Sequence, residues 1–194
     1  EARYKPSVIG AQRMAAGLLG RKVGEGFYRY QAGSVVPDPA HQEAAPPAPP
    51  VGLRAWVAAG PAHKDVKALL EALGASIDSG AQPSPDSLIV LTPLGIDATE
   101  ASQGLDARRA VALDTLMPYG HRACKRRVMM TTPATDAAWR DKAHGLLAAD
   151  GAKVSVLRDS AGFISQRVLA MIVAVGTEIA QQRVAAPADI DTAV

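Results

Sequence analysis

Cys124 is the only cysteine in the 194 residues, and a catalytic thiol needs a base beside it. His121 is the one histidine close in sequence, and no third group follows to orient it. A single cysteine also excludes an internal disulfide framework and a zinc site built from several thiolates, and it fits a reducing, cytoplasmic setting. His41, His63 and His144 stand at no metal-ligand spacing. Arg122, Lys125, Arg126 and Arg127 form the one basic cluster, read as a solvated loop in preference to a phosphate site. With a formal net charge of +2, no partner of nucleic-acid or anionic-membrane type is expected. No apolar run reaches the ~18 residues of a membrane span, and no signal peptide opens the chain.

Phosphate binding is the other chemistry to look for. A turn that cradles a pyrophosphate presents backbone N–H groups at a helix N-terminus, and glycines let the backbone approach. The candidate turn here is Ala58-Ala59-Gly60-Pro61-Ala62-His63. It has one glycine, Pro61 has no N–H, and the G-x-G-x-x-G pattern is absent. Asp78 stands about where a ribose-binding acid would end the second strand, although Asp78-Ser79-Gly80 also reads as a plain turn. No acid/base pair and no metal cluster rises above background, so no catalytic, cofactor-binding or metal-binding residue is assigned from the pattern.

The elements that would carry such a site alternate in type. Strands are expected over 53–58, 75–78, 88–92, 110–114, 127–132 and 153–157, the third as a buried apolar run. Helices are expected over 63–73, with Val66, Leu69, Leu70 and Leu73 inward and Gly74 as the stop, and over 136–149, with Trp139, Ala143, Leu146 and Leu147 inward. This alternation predicts an α/β fold with a doubly wound parallel sheet of reduced Rossmann-like type. Residues 162–182 form a long helix, rich in alanine, with Phe163, Val168, Ile172, Val175 and Ile179 on one face. That face is expected to be buried between domains or subunits.

Before the sheet, residues 7–19 read as a short helix capped by Ser7. A turn with three glycines follows, Gly20, Gly24 and Gly26, with Phe27, Tyr28 and Tyr30 to anchor it. Residues 31–52 contain Pro37, Pro39, Pro46, Pro47, Pro49 and Pro50, and are expected to form an extended linker with neither ladder nor helix. From Ala186 to Val194 the chain reads as a helix just begun, with Pro187 in its first turn. More protein is therefore expected beyond both ends.

Three stretches resemble the NAD-dependent 3-hydroxyacyl-CoA dehydrogenases. Gly20-Arg21-Lys22-Val23-Gly24-Glu25-Gly26-Phe27-Tyr28-Arg29-Tyr30 resembles the G-R-K-x-G-x-G-x-Y-x-Y that ends their helical C-terminal domain. Asp159-Ser160-Ala161-Gly162-Phe163-Ile164-Ser165-Gln166-Arg167 resembles the D-x-P-G-F-I-x-N-R that joins dinucleotide domain to helical domain. Ala185 to Val194 resembles a segment a few turns later. The order implies the join between two copies of one unit, as in the longer, duplicated 3-hydroxyacyl- or 3-hydroxybutyryl-CoA dehydrogenases. Residues 1–30 would end one helical domain, 31–52 link, 53–158 form a reduced Rossmann-like domain, and 159–194 begin a second helical domain.

The resemblance implies a His–Glu acid/base pair, with the His taking the hydroxyl proton while hydride leaves for NAD. The His belongs to a G-L-H-F-F-N-P strand end. The matching stretch here is Ala112-Leu113-Asp114-Thr115-Leu116-Met117-Pro118. Asp114 stands in place of the His and Met117 in place of the Asn, and no carboxylate lies between Tyr119 and Thr135. Gln166 replaces the Asn of the joining motif. Cofactor turn, base, orienting acid and asparagine all depart together.

The resulting expectation is a non-catalytic, structural copy within a dehydrogenase that oxidises 3-hydroxyacyl-CoA to 3-oxoacyl-CoA, with NAD held by an upstream domain. The partners implied are an acyl-CoA substrate for the full protein and either a second subunit or pairing of the two copies within one chain. Two alternatives stand beside it. One is a regulatory nucleotide- or acyl-CoA-binding module in the old cleft near Thr92, Pro93 and Gly95. The other is an unrelated reductase domain with an unusual nucleotide loop.

Overall fold

The structure, a computed structural model, describes residues 7–37, 44–116 and 125–193. The chain divides into two compact units, Glu1–Ala45 and Pro46–Val194.

In the first unit, helix α1 spans Val8–Ala15, and Ser7 Oγ accepts from Gly10 N at 2.9 Å, as an N-cap should. The helix stops earlier than the composition suggests, because Gly17 and Gly20 take left-handed φ values of 73° and 79°. The glycine motif that follows is a close-packed turn. A Cβ on Gly26 would lie 2.7 Å from Gly20 Cα, so only glycine fits there. Arg13 lies over the Phe27 ring at 4.0 Å and donates to Gly26 O.

Strands β1 (Arg29–Gln31) and β2 (Ser34–Val36) then pair antiparallel. They turn through Ala32 and Gly33, both with positive φ. Part of the stretch expected as linker is therefore a hairpin. The prolines begin only at Pro37, so nothing upstream of it blocks a ladder.

Residues 46–52 have no regular structure. Pro47 and Ala48 run against a helix of their own unit, where a Cβ on Gly145 would meet Ala48 O at 2.5 Å and Pro47 O at 2.9 Å. An extended proline segment without ladder bonds can thus pack flat on a helix where that helix offers a bare backbone.

The second unit carries strand β3 (Arg54–Val57), helix α2 (His63–Ala72), strand β4 (Ser76–Ile77), strand β5 (Leu88–Leu91), the short helix α3 (Ala98–Ala101) and strand β6 (Ala110–Leu113). Strand β7 (Arg126–Thr131), helix α4 (Ala137–Leu147), strand β8 (Lys153–Leu157), helix α5 (Ile164–Gln181) and helix α6 (Pro187–Ala193) complete it. The six strands run in the order β4-β3-β5-β6-β7-β8.

All neighbours in the sheet are parallel except β6 and β7, where Ala112 pairs with Met130 antiparallel. The sheet is thus mostly parallel, as expected for the fold class, with the β7–β8 pair reversed. The parallel β7–β8 pair is joined through α4, as a crossover requires.

Strand periodicity sorts the core into two layers. Ala55, Val57, Leu88, Val90, Val111, Leu113 and Met129 face α2 and α4, meeting Val66, Leu70, Ala143, Leu146 and Leu147. On the opposite face, Ile89, Leu91, Ala110, Ala112 and Met130 meet Ala98 of α3 and Phe163. Every residue of β5 and β6 is buried, which is why both read as unbroken apolar runs. The β5–β6 connection brings only one turn of α-helix, so Phe163, fully buried, supplies much of the cover on that side.

Helix α5 is mostly uncovered by its own unit. Phe163 is inside, but Val168, Ile172 and Val175 are exposed and Ile179 is half-buried, and no residue of the helix itself is buried. Among the described residues α6 packs along it, with Ile190 Cγ2 3.6 Å from where a Cβ on Gly176 would sit. The described residues of the unit do not cover the rest of that apolar face. Among them, no helix is long and apolar enough to cross a membrane.

Candidate functional site at the carboxyl edge of the sheet

The chain runs from β3 outward to β4, then returns to β5 on the other side of β3. That reversal is the switch point at which open α/β sheets bind ligands, beyond the carboxyl ends of the strands. The turn 58–63 after β3, the loop 92–97 after β5 and the residues after β6 meet this edge.

The first turn is closed on itself. Ala58 N donates to Val90 O at 2.9 Å and His63 N to Gly60 O at 3.1 Å. The His63 ring Nδ1 lies 3.0 Å from Ala58 O, and Pro61 has no N–H to offer. Helix α2 begins without a side-chain cap. Thr92 Oγ1 lies 3.4 Å from where a Cβ on Gly60 would stand, so the turn sits down on the loop after β5.

Asp78 is buried at the end of β4, the place a ribose-binding acid would take, but its oxygens serve the loop that follows. Oδ1 accepts from Gly80 N at 3.1 Å, and Oδ2 accepts from Ser84 N and Ser87 Oγ, both at 2.7 Å. These bonds, the Ser84 amide first and then the Ser87 hydroxyl, hold its carboxyl well below the usual carboxylate range. Arg109 fastens the same loop by donating to Ser84 O at 2.7 Å and Ser87 O at 2.6 Å. The hydrogen bond from Arg109 in turn lowers the carboxyl of Asp106. Trp56 Nε1 donates to Gly80 O at 2.9 Å. Of the two readings of Asp78-Ser79-Gly80, the turn is what its bonds build.

Asp114 follows β6 and is 4% exposed. Its Oδ1 accepts from Leu116 N at 3.1 Å and from Gln166 Nε2 at 3.1 Å, and its Oδ2 accepts from Ser165 Oγ. Gln166 also donates to Pro93 O at 3.2 Å and accepts from Gly95 N at 2.9 Å. Asp159 Oδ1 accepts from Ala98 N at 2.8 Å and its Oδ2 from Thr99 Oγ1. Gly162 N reaches Ile96 O at 3.1 Å. Thus Asp114 and Gln166, two of the residues at departing positions, are brought into direct contact. Met117 lies outside the described residues, as do His121, Arg122 and Cys124.

Asp114 is thus a buried carboxylate with donors on both oxygens. Among the described residues no group of His, Cys, Asp and Glu could hold a metal ion. The basic cluster is corrected in one respect. Arg127 is not solvated: its side chain is 8% exposed and pairs with Asp150, Nη2 to Oδ2 at 2.7 Å and Nη1 to Oδ1 at 2.7 Å. Hydrogen bonding from Arg127 lowers the Asp150 carboxyl to about 2. Arg127 Nη1 also donates to Leu147 O, which ties β7 to the last turn of α4.

Sequence reasoning had singled out Asp114 and Gln166 but not Ser165 or Asp159 as their fellow anchors. Both lie within the joining motif, which was the available signal. No sequence signal pointed to Arg109 as the fastener of the 79–87 loop.

No protein-family model and no curated protein matches the chain. Solved structures do. One is 5-formyl-3-hydroxy-2-methylpyridine 4-carboxylic acid 5-dehydrogenase, an NAD+-dependent dismutase, 13% identical over 73% of this chain and 69% of that one, with a TM-score of 0.52. A 3-hydroxyacyl-CoA dehydrogenase from Archaeoglobus fulgidus is 16% identical over 71% of this chain and 45% of that one, at 0.48. 3-Hydroxybutyryl-CoA dehydrogenase from Escherichia coli K12 is 17% identical over 69% of this chain and 27% of that one, at 0.47. At 13% identity the first of these likenesses concerns the fold alone. The chain spans less than half the length of the latter two proteins.

Proposed function

We propose that the chain is part of an NAD-dependent 3-hydroxyacyl-CoA dehydrogenase, which oxidises substrates such as 3-hydroxybutyryl-CoA to 3-oxoacyl-CoA. In this reading residues 53–158 are a non-catalytic copy of its dinucleotide domain, kept as a scaffold for helix α5. Residues 1–30 close the helical domain of the catalytic half, and NAD and the acyl-CoA bind upstream.

The observation that carries the reading is Asp114. At the position that resembles the catalytic His, the chain has a carboxylate whose oxygens accept from Leu116, Ser165 and Gln166. General-base work needs a group within hydrogen-bond reach of the substrate proton, and this one is committed to its own domain. The cofactor side supports the same view. The first turn has one glycine, Gly60, and Pro61 has no N–H, so it lacks the glycine-rich backbone that a pyrophosphate cradle uses. Nor does Asp78 fit a ribose, with both oxygens turned to the 80–87 loop.

The alternative reading, a regulatory module near Thr92, Pro93 and Gly95, meets the same obstacle, because Gln166 already occupies Pro93 O and Gly95 N. Calorimetric titration of the chain with NAD, and separately with 3-hydroxybutyryl-CoA, tests the two. No binding heat is expected with either. Saturable binding at micromolar affinity would replace the scaffold with the module.

A further inference from the structure

Helix α5 is 18 residues long, which is about 27 Å at 1.5 Å per residue. It has no buried residue of its own. The described hydrogen bonds that tie it to the sheet all involve its first turn and the residues just before it. A helix held this way would pivot unless its root were fixed at more than one point.

The root is fixed on two separate segments, residues 93–99 and the residue after β6. Asp159 accepts from Ala98 N and Thr99 Oγ1 at the start of α3. Gln166 grips the loop after β5 at Pro93 O and Gly95 N. Asp114, after β6, takes Ser165 and Gln166 together. Phe163, fully buried, sits between them as an apolar plug. Each of these polar bonds joins residues 51 to 73 apart in sequence, so none is a by-product of a local turn.

We propose that Asp114, Asp159, Ser165 and Gln166 form a latch that sets the direction in which α5 leaves the sheet, so that loop 93–99 and the helix move as one body. The latch rests on the contacts alone and holds whichever reading of the cleft is right. Its role is conformational. It turns a flexible junction between a sheet and a projecting helix into a rigid corner, and it uses for this the positions where a working site would hold polar side chains.

The test measures direction and local protection separately. Spin labels are placed on Lys64→Cys in α2 and Val173→Cys in α5, in a Cys124→Ser background, and their distance distribution is read by pulsed electron resonance. The parent should give one narrow distribution. Gln166→Ala and Asp114→Ala should each broaden it, with Ser165→Ala intermediate. Exchange of the Gly95 amide, whose acceptor is Gln166 Oε1, should quicken by roughly 5–10-fold in Gln166→Ala.

Arg140→Ala, which breaks a surface contact on α4, is the control and should change neither readout. An unchanged distribution in Gln166→Ala would overturn the latch, as would equal broadening in Arg140→Ala. Should Asp114→Ala fail to fold, Gln166→Ala and Ser165→Ala decide the matter by the same two readouts.

Discussion

Gln166 Nε2 lies 3.1 Å from Asp114 Oδ1 across 52 residues of sequence. The same nitrogen lies 3.2 Å from Pro93 O, and the amide oxygen accepts from Gly95 N at 2.9 Å. One side chain therefore uses both its donors and its acceptor within the domain. An amide can do this because it carries both functions on one flat group. A carboxylate at position 166 could not donate to Asp114, and an ammonium could not accept from Gly95.

The chain by itself is expected to show no 3-hydroxyacyl-CoA dehydrogenase activity, and Asp114→His is expected not to create it. General acid–base catalysis contributes typically ~10²–10⁴-fold, and only when the hydride acceptor is held in line. The substitution supplies neither a pyrophosphate cradle nor an orienting carboxylate. NADH absorbance with 3-hydroxybutyryl-CoA checks this. Turnover by the parent chain above an empty-vector control would show that this site is live.

Phe163→Ala should be the most damaging single truncation near the site. The ring is fully buried between the sheet and α3. Removing it costs about 3–5 kcal/mol in transfer and cavity terms, a drop in Tm of roughly 10 °C for a domain of this size. Ile164→Ala next to it, at 61% exposure, should stay within about 0.5 kcal/mol. Thermal melts of the two variants make the comparison. Equal losses would mean that Phe163 does not plug the face as described.

Gly145→Ala should release the proline segment. The new methyl would stand 2.5 Å from Ala48 O, and a backbone oxygen cannot yield as a flexible side chain can. Overpacking of this kind costs about 1–3 kcal/mol. Limited proteolysis within residues 44–52 should quicken in the variant, while the melting of the sheet core shifts less. Proteolysis at the parent rate would show that the segment does not lie against α4.

Acid should destabilise the second unit through Asp78 and Asp150. Both carboxyls are held below their ordinary value in the folded chain, Asp150 at about 2, whereas an unfolded Asp titrates near ~3.9. A depressed folded value adds stability that is fully present above the unfolded one and is lost as pH falls through the folded one. Tm should therefore be flat above about pH 5 and fall between about pH 4 and pH 2. Asp150→Asn should lower Tm at neutral pH, because the buried Arg127 guanidinium loses its ionised partner, and it should flatten the fall in acid. An acid limb as steep in Asp150→Asn as in the parent would remove Asp150 from the account.

Much of the second unit was readable from the sequence. The runs Leu88–Leu91 and Ala110–Leu113 lack polar residues because both sheet faces cover them. The stop signal at Gly74 falls just past α2, with a left-handed φ. The departures at Pro61, Asp114 and Gln166 were visible as residue types. What those residues do instead was not visible.

Residue order and side-chain period are local properties, so they decided which segments became strands and helices and which faces turned inward. Strand direction and polar partnership are not local. The reversal of β7 against β6 lies in the pairing of Ala112 with Met130 across the sheet, and no periodicity records it. The hairpin at 29–36 depends on Ala32 and Gly33 both accepting positive φ, which composition hid beneath the prolines that follow. Asp78 could have faced a ligand or its own loop, and only the approach of Ser84, Ser87 and Gly80 settled which. Asp114 reads alone as an acid at a strand end. It became an anchor because packing of Phe163 carries Ser165 and Gln166 to it, and a buried carboxylate must find donors wherever the fold brings them.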